Sequence, residues 1–350
     1  MQGTMNSLTW AAKDEPEQVF MLVNNYQISP VNKMANCNMI TRLAKEADLP
    51  AVLEMSEGVY GGHDYFLVEF LNFVKDPSRR ILIAEMDGKA VGLQAIHIVD
   101  EGETAIAHSL RVHYKYQCRG IGKRLIQECR NYVRANFPQV KFERYVTRSD
   151  ARLAIQKKSD DLQFHQAATF RGIVNANSSG LNSRIANSLI EQSVNLKQLN
   201  KTGLEVILNE QKLRNILFQD KYLVLSQPFK PLASNIANGL FKDGDTIFAS
   251  YSSESVEALS HSRWSSTPKC YQLRTVCYTQ NKELLKIHLV KQLKRAIVQR
   301  PGEMFIFMPI IDTSLVDTTK HILFKNLLLK NLWDGMREYS ILYYFEKSLV

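Results

Sequence analysis

The sequence predicts an α/β (α+β) protein, a sheet flanked by helices and followed by a C-terminal lobe of similar plan, and three observations carry that prediction. Two β-rich runs, 80–86 and 90–99, are joined by Asp87-Gly88-Lys89, and DG between apolar stretches signals a tight hairpin. The run 104–112 leads through the glycine- and cation-rich loop VHYKYQCRGIGKRL (112–125) into an apolar helical pattern. The order strand, helix, strand then returns at 272–278, 284–293 and 304–308, which suggests a degenerate internal duplication.

Residues 39–43 read as a short strand, and Ala47-Asp48-Leu49-Pro50 opens a helix that runs to Gly58, proline being tolerated in a first turn. Asp64 begins a second helix, whose apolar face ends at Asp76-Pro77, because the residue before proline leaves helical space. After the hairpin and the strand 104–112, Ile121, Leu125, Ile126, Cys129, Val133 and Phe137 share one helical face that Pro138 closes. Residues 140–147 read as a further strand, 175–180 as a polar boundary turn, and 340–345 as the last strand. The chain divides into an N-terminal extension (1–38), a lobe at 39–171 and a C-terminal α/β lobe at 172–350.

The 350 residues are 45% hydrophobic, enough to fill real cores. A net charge of +9 favours anionic partners: nucleic acid, a membrane surface or a phosphorylated small molecule. Between Arg111 and Lys158, thirteen Lys or Arg face only Glu128, Glu143 and Asp150, so the excess is concentrated around the glycine loop. Five cysteines without a CxxC or zinc-like spacing predict a reducing, cytoplasmic setting and no metal. With no signal-peptide pattern and no apolar run of roughly 20 residues, no membrane partner is expected.

A strand that enters a loop and then a helix presents free N–H groups and the positive end of the helix dipole, which together form an anion site. Gly120 and Gly122 admit close approach of a ligand, and Arg119, Lys123 and Arg124 add the charge that a pyrophosphate wants. A Walker loop needs GxxxxGK[ST], and Gly120-Ile121-Gly122-Lys123-Arg124 lacks both the spacing and the hydroxyl. A Rossmann fingerprint fails because Leu125 stands at the third glycine. What remains is [Q/R]-x-x-G-x-[G/A], met by Gln117-Cys118-Arg119-Gly120-Ile121-Gly122 between the strand and the amphipathic helix.

That loop resembles the acetyl-coenzyme A (acetyl-CoA) loop of the GNAT N-acetyltransferase superfamily. The stretches 55–65, 92–100 and 102–104 resemble the histidine N-acetyltransferase family within it. The resemblance covers most of 39–170. It implies a GNAT-type mixed, mostly antiparallel sheet flanked by helices, with a second C-terminal GNAT-like lobe. It also implies acetyl-CoA as cosubstrate and acetyl transfer to the α-amino group of a free amino acid, L-histidine, giving N-acetylhistidine and CoA.

By the same resemblance the strand before the loop would splay from its neighbour. The backbone of Leu110, Arg111 and Val112 would then meet the pantetheine arm, while Gln117, Cys118, Arg119, Gly120, Ile121, Gly122 and Lys123 hold the phosphates. An α-amino group has a reference pKa of about 8, so a weak base suffices near neutrality. His108, two residues before Leu110 on the same strand face, is the candidate, with a structural hydrogen-bonding role as the alternative; His97 and Glu103 stand behind it. Ser159 falls where many members of the superfamily place a general-acid tyrosine, and Tyr145 would be the substitute. A thiol of pKa about 8.5 leaves largely as thiolate without one.

Tyr60, Asp64 and Tyr65, carried by the Gly61-Gly62 turn, would line an acceptor pocket that suits an imidazole. Asp64 serves equally as a helix N-cap, and Arg111 is conceivable for the substrate carboxylate. Three other readings compete. A protein or peptide N-acetyltransferase would need an open groove, and a non-catalytic acetyl-CoA-binding protein is motivated by Ser159. A basic nucleic-acid-binding module would want the interleaved aromatics of a stacking platform, which the basic region lacks, so no nucleic acid is expected.

Overall fold

In the computed structural model the described residues are 38–148, 161–189, 194–219, 221–252, 255–332 and 338–350; residues 1–37 of the expected extension, and Ser159, lie outside them. The first half contains β1 (Ile40–Leu43), α1 (Leu49–Met55), α2 (Phe66–Lys75), β2 (Arg79–Met86), β3 (Lys89–Val99), β4 (Thr104–Val112), α3 (Ile121–Asn136) and β5 (Phe142–Arg148). The expected order is therefore present. Helix α1 is shorter than its pattern, because Gly58, Tyr60, Gly61 and Gly62 all take positive φ and turn the chain out of helical space. Asp87 and Gly88 also have positive φ, as a two-residue hairpin turn matched to strand twist requires.

Strands β1 to β4 pair antiparallel, and β4 pairs parallel with β5, a pairing that needs a crossover, which α3 provides. Alternation along β2 sends Ile81 and Ile83 to Phe66, Phe70 and Phe73 of α2. Leu82 and Ala84 go to Ile121, Leu125 and Cys129 of α3. The sheet is thus sandwiched between α1 and α2 on one face and α3 on the other.

The second half runs β6 (Leu162–Phe170), β7 (Gly172–Asn175), α4 (Ser179–Leu189), β8 (Asn195–Leu199), α5 (Lys201–Asn209), α6 (Gln211–Phe218), β9 (Tyr222–Val224), β10 (Gln227–Phe229) and β11 (Thr246–Ser252). It continues with β12 (Ser255–Ser266), β13 (Tyr271–Tyr278), α7 (Lys282–Gln299), β14 (Met304–Ile311), α8 (Val316–Lys320), β15 (Lys330–Asn331) and β16 (Tyr339–Ser348). The series β8-α5-α6-β11-β12-β13-α7-β14 repeats β1-α1-α2-β2-β3-β4-α3-β5, and β13 and β14 are again parallel.

Both series share one sheet, in the order β1-β2-β3-β4-β5-β16-β6-β14-β13-β12-β11-β8. The last strand of the chain, β16, lies between β5 and β6, and β6 in turn pairs with β14. The hairpin β9–β10 stands outside this sheet. Its Val224 and Phe229 join Val99 and Ile106 of the first half in one apolar cluster, so the second half packs directly on the face of β3 and β4.

Candidate active site

Strand β4 ends at Val112, and the chain then makes a tight turn in which Gln117 Nε2 donates to the Val112 carbonyl at 3.1 Å. Cys118 has φ +60, and Gly120, with φ +79, forms the N-cap of α3 without any side-chain cap. The first N–H to return into the helix is that of Arg124, which donates to the Gly120 carbonyl at 3.0 Å. The N–H groups of Ile121, Gly122 and Lys123 therefore have no intrahelical acceptor, and no acid occupies the first turn of α3. A Cβ on Gly122 would touch Val112 at 3.6 Å and Leu110 at 4.0 Å. The bare helix start thus lies against the end of β4, where Leu110 is 43% exposed. Lys115, Arg119 and Lys123 surround the loop exposed, while Arg124 is tied to the Met39 carbonyl at 2.9 Å.

Beside this loop the sheet opens. Strands β4 and β5 pair only from Thr104–Ala107 to Phe142–Tyr145 and then part. Between His108 and Arg111 the β3–β4 register slips and Ser109 takes φ +57, a bulge that re-aims the following side chains. His108 and Arg111 both face α2: His108 meets Phe73 edge-on at 5.9 Å, and the Arg111 guanidinium lies 4.3 Å over Phe66.

The repeat does none of this. Strands β13 and β14 stay paired over six residues, Tyr271–Val276 with Phe305–Ile310. The N-cap of α7 is Asn281, whose side chain accepts from the N–H groups of Glu283 and Leu284, and Glu283 adds a carboxylate to the first turn. An anion would find those amides occupied and a like charge beside them.

On the α2 face, Asp64 is 2% exposed. It accepts from the Phe66 N–H at 3.1 Å and pairs with Arg111. His108 Nε2 lies 3.3 Å from Arg79 Nη1 and its Nδ1 lies 3.0 Å from Ser109 Oγ. Burial, then the charge of Arg79, holds its pKa well below the ordinary imidazole value, so the ring is neutral. The turn 60–65 is held from the second half: Gln272 Nε2 donates to the His63 carbonyl at 3.1 Å, and Cys270 Sγ is 3.4 Å from His63 Nδ1. A Cβ on Gly62 would lie 2.9 Å from the Lys269 side chain. The Arg148 guanidinium covers Tyr60 at 4.5 Å and that of Arg274 covers Tyr65 at 4.8 Å. Tyr65, Phe73, Arg79 and Leu225 line an open cleft of about 860 Å³ toward the loop 239–245.

Residues 49–153, which hold α1 to β5 and the loop, match the acetyltransferase (GNAT) family. They form a GNAT acetyltransferase domain. Residues 192–311 match the family described as histidine N-acetyltransferase, C-terminal. Histidine N-acetyltransferase of Scomber australasicus is 29% identical over 217 residues, 58% of this chain and 63% of that protein. For Oreochromis niloticus the enzyme of the same name is 27% identical over 233 residues, 62% and 67% of the two chains. The probable N-acetyltransferase 16 of Homo sapiens is 28% identical over 206 residues, 55% and 54%. The chain thus spans 54% to 67% of these relatives' own length.

Two solved structures share the fold at 10% identity and a TM-score of 0.55. One is a tandem GNAT protein from the clavulanic acid biosynthesis pathway, which covers 89% of this chain and 99% of its own. The other is a GCN5-related N-acetyltransferase from Sphaerobacter thermophilus, at 89% and 96%. The expected mixed, mostly antiparallel sheet with a second GNAT-like region is therefore present.

The GNAT domain brings the loop residues Gln117 to Lys123 to one helix start and sets Leu110, Arg111 and Val112 along the parted edge of β4. Arg111 is committed to Asp64, so the cation considered for a substrate carboxylate already has an acid. Tyr145 faces away from the acceptor side: its hydroxyl donates to Asp161 Oδ2 at 2.6 Å, and burial and Asp161 push its pKa up, against an acid role. His97 is fully buried, 3.3 Å from Gln227 Oε1, and Glu103 is held by Lys141 and Lys230. Among the described residues most of the basic region is likewise engaged within the fold: Arg130 pairs with Glu143 and Arg144 with Glu346, and Arg134 donates to the Leu349 carbonyl. Sequence reading missed Arg79, Arg148 and Arg274, which carry no motif and meet the site only through tertiary contacts. Among the described residues no helix is long and apolar enough to cross a membrane.

Proposed function

We propose that the protein transfers the acetyl group of acetyl-CoA to the α-amino group of a free amino acid, with L-histidine as the acceptor. The observation that carries the donor half is the uncapped start of α3 lying against the parted edge of β4. These residues fit the cosubstrate: three free amides suit a diphosphate, Gly122 leaves room beside Leu110 and Val112, and unpaired strand edges suit the amides of a pantetheine arm. When bound, acetyl-CoA supplies an activated thioester whose thiol leaves readily near neutrality.

The acceptor half rests on how the second half meets the turn 60–65. Lys269, Cys270, Gln272 and Arg274 hold that turn, which supports a small acceptor over a protein segment that would need an open groove. The names of the relatives support histidine as that acceptor. Tyr60 and Tyr65 offer aromatic faces for its ring. His108 stays neutral and, with Nε2 facing the Arg79 donor and Nδ1 beside Ser109 Oγ, fits the structural role better, which leaves deprotonation of the amine to solvent.

Labelled acetyl-CoA incubated with the purified protein and a panel of free amino acids, peptides and polyamines tests the proposal. N-acetylhistidine as the main product is the expected result. Acetylation of peptides but not of histidine would overturn the acceptor, and binding of acetyl-CoA without turnover would overturn catalysis.

A further inference from the structure

Arginines from both halves gather around the acceptor side. Arg79 pairs with Asp76 at 3.1 Å, Arg111 pairs with Asp64, and Arg148 lies over Tyr60. Arg274, on the central strand of the second half, is half-buried, yet among the described residues no carboxylate lies within ion-pair distance of it. Its Nη1 donates to the Leu225 carbonyl at 3.4 Å and its Nη2 to Gln272 Oε1 at 3.1 Å. Its Nε is buried without any acceptor.

A guanidinium carries five N–H donors and stays charged in proteins, so deprotonation does not relieve this site. Burying such a group without a counter-charge is costly. Burial accordingly draws its pKa down, partly offset by Tyr65. The group is nonetheless held firmly. Gln272 accepts from Arg274 with Oε1 and donates through Nε2 to the His63 carbonyl, which fixes the guanidinium relative to the turn that carries Tyr60 and Tyr65. Arg274 also lines a narrow gap with Leu223, Leu225 and His261. A planar fork with its Nε edge free, stacked on an aromatic ring and missing an anion, matches a carboxylate bidentately.

We infer that Arg274 binds the α-carboxylate of the acceptor amino acid, so that the half of the chain without a donor site supplies the anchor for the acceptor. The inference rests on the proposal that the acceptor is a free amino acid. It makes the free carboxylate a condition of recognition, which amines, amino-acid amides and peptide N-termini do not meet.

The test compares histidine with histidinamide and histamine as acceptors for the wild-type full chain and for Arg274→Gln and Arg274→Lys. Wild type is expected to prefer histidine to histidinamide by about 10- to 100-fold in kcat/KM, the range for hydrogen bonds to a charged group. In Arg274→Gln that preference should collapse toward unity through a raised KM for histidine, with the Kd for acetyl-CoA little changed. Arg274→Lys, which keeps the charge and loses the fork, should fall between. A preference that survives in Arg274→Gln overturns the inference, as does a wild-type enzyme that uses histidine and histidinamide equally; the second result holds even if the variants fail to fold. If another free amino acid replaces histidine as the best substrate, the histidine proposal fails while the acid-to-amide ratio on that amino acid still decides the role of Arg274. If no free amino acid is acetylated, both fall.

Discussion

Replacing Gly120 with alanine bears directly on the donor side. Gly120 holds φ +79 and ψ −1 at the start of α3, where an L-side chain costs about 1–2 kcal/mol. If the loop keeps its shape, that strain lowers the melting temperature by only about 2 °C in a chain of this size. If it relaxes to negative φ, the amides of Ile121, Gly122 and Lys123 cease to converge. Hydrogen bonds to a charged group are worth about 1.5–3 kcal/mol each, so losing two of the three weakens Kd by roughly 10²- to 10⁴-fold.

Calorimetric titration with CoA and, separately, with pantetheine distinguishes the outcomes, because pantetheine lacks the diphosphate that those amides would hold. CoA affinity should fall at least 100-fold in Gly120→Ala while pantetheine binding and the melting temperature hold. Equal losses for both ligands would show that the loop does not read the diphosphate. Unchanged CoA affinity without even the drop of about 2 °C of a loop that keeps its strained shape would refute the reasoning outright.

Asp64→Ala leaves the Arg111 guanidinium buried without its acid and removes the acceptor of the Phe66 N–H. It should cost about 3–5 kcal/mol in urea unfolding, and a loss below about 1 kcal/mol would contradict the buried pair. His97 and His288 are fully buried, and burial, with Arg79 also acting on His97, lowers their pKa values to about 3 and about 4. Unfolded, both titrate near 6.5, so the unfolded state binds more protons as the pH falls, and stability is lost from pH 6.5 downward. Between pH 7 and pH 5 the pair should account for roughly 4 kcal/mol of that loss, and a flat profile of urea midpoints over this range would be inconsistent with it. CoA should bind with a stoichiometry of one per chain, in wild type and in Asn281→Gly alike, because Glu283 and the unbroken β13–β14 pairing remain. A stoichiometry of two would show that the second half keeps a donor site.

The shape of the glycine loop was legible in the sequence because its physics is local: a strand, two glycines and an amphipathic helix sit within about 30 residues, and hydrogen bonding plus backbone freedom dictate the rest. The same holds for the Asp87-Gly88 hairpin and for the face of Ile121, Leu125, Cys129 and Val133. Strands β6 to β12 carried no comparable signal, and their place in the sheet comes from pairing across great sequence distances, as β16 with β5 illustrates. The face of α2 was half legible. Asp64 was read as serving equally as a helix cap, and it does accept from the first-turn Phe66 N–H, although the N-cap itself is Tyr65. The ion pair of Asp64 with Arg111, 47 residues away, was not legible, and the C-terminal strand that crosses Tyr65 through Arg274 lies still farther off. Side chains that meet only in the folded state leave no periodicity to read.

The placement of β16 and β6 has a consequence for how such a molecule changes over time. Strands β16 and β6 join β5 to β14, so cutting the chain between β6 and β16 would bare long hydrogen-bonding edges on both pieces. An ancestor with two working copies could therefore let one lose its donor chemistry, yet could not discard it. Such a copy would stay locked beside its twin, as here, where the strand that carries Arg274 brings its guanidinium over Tyr65.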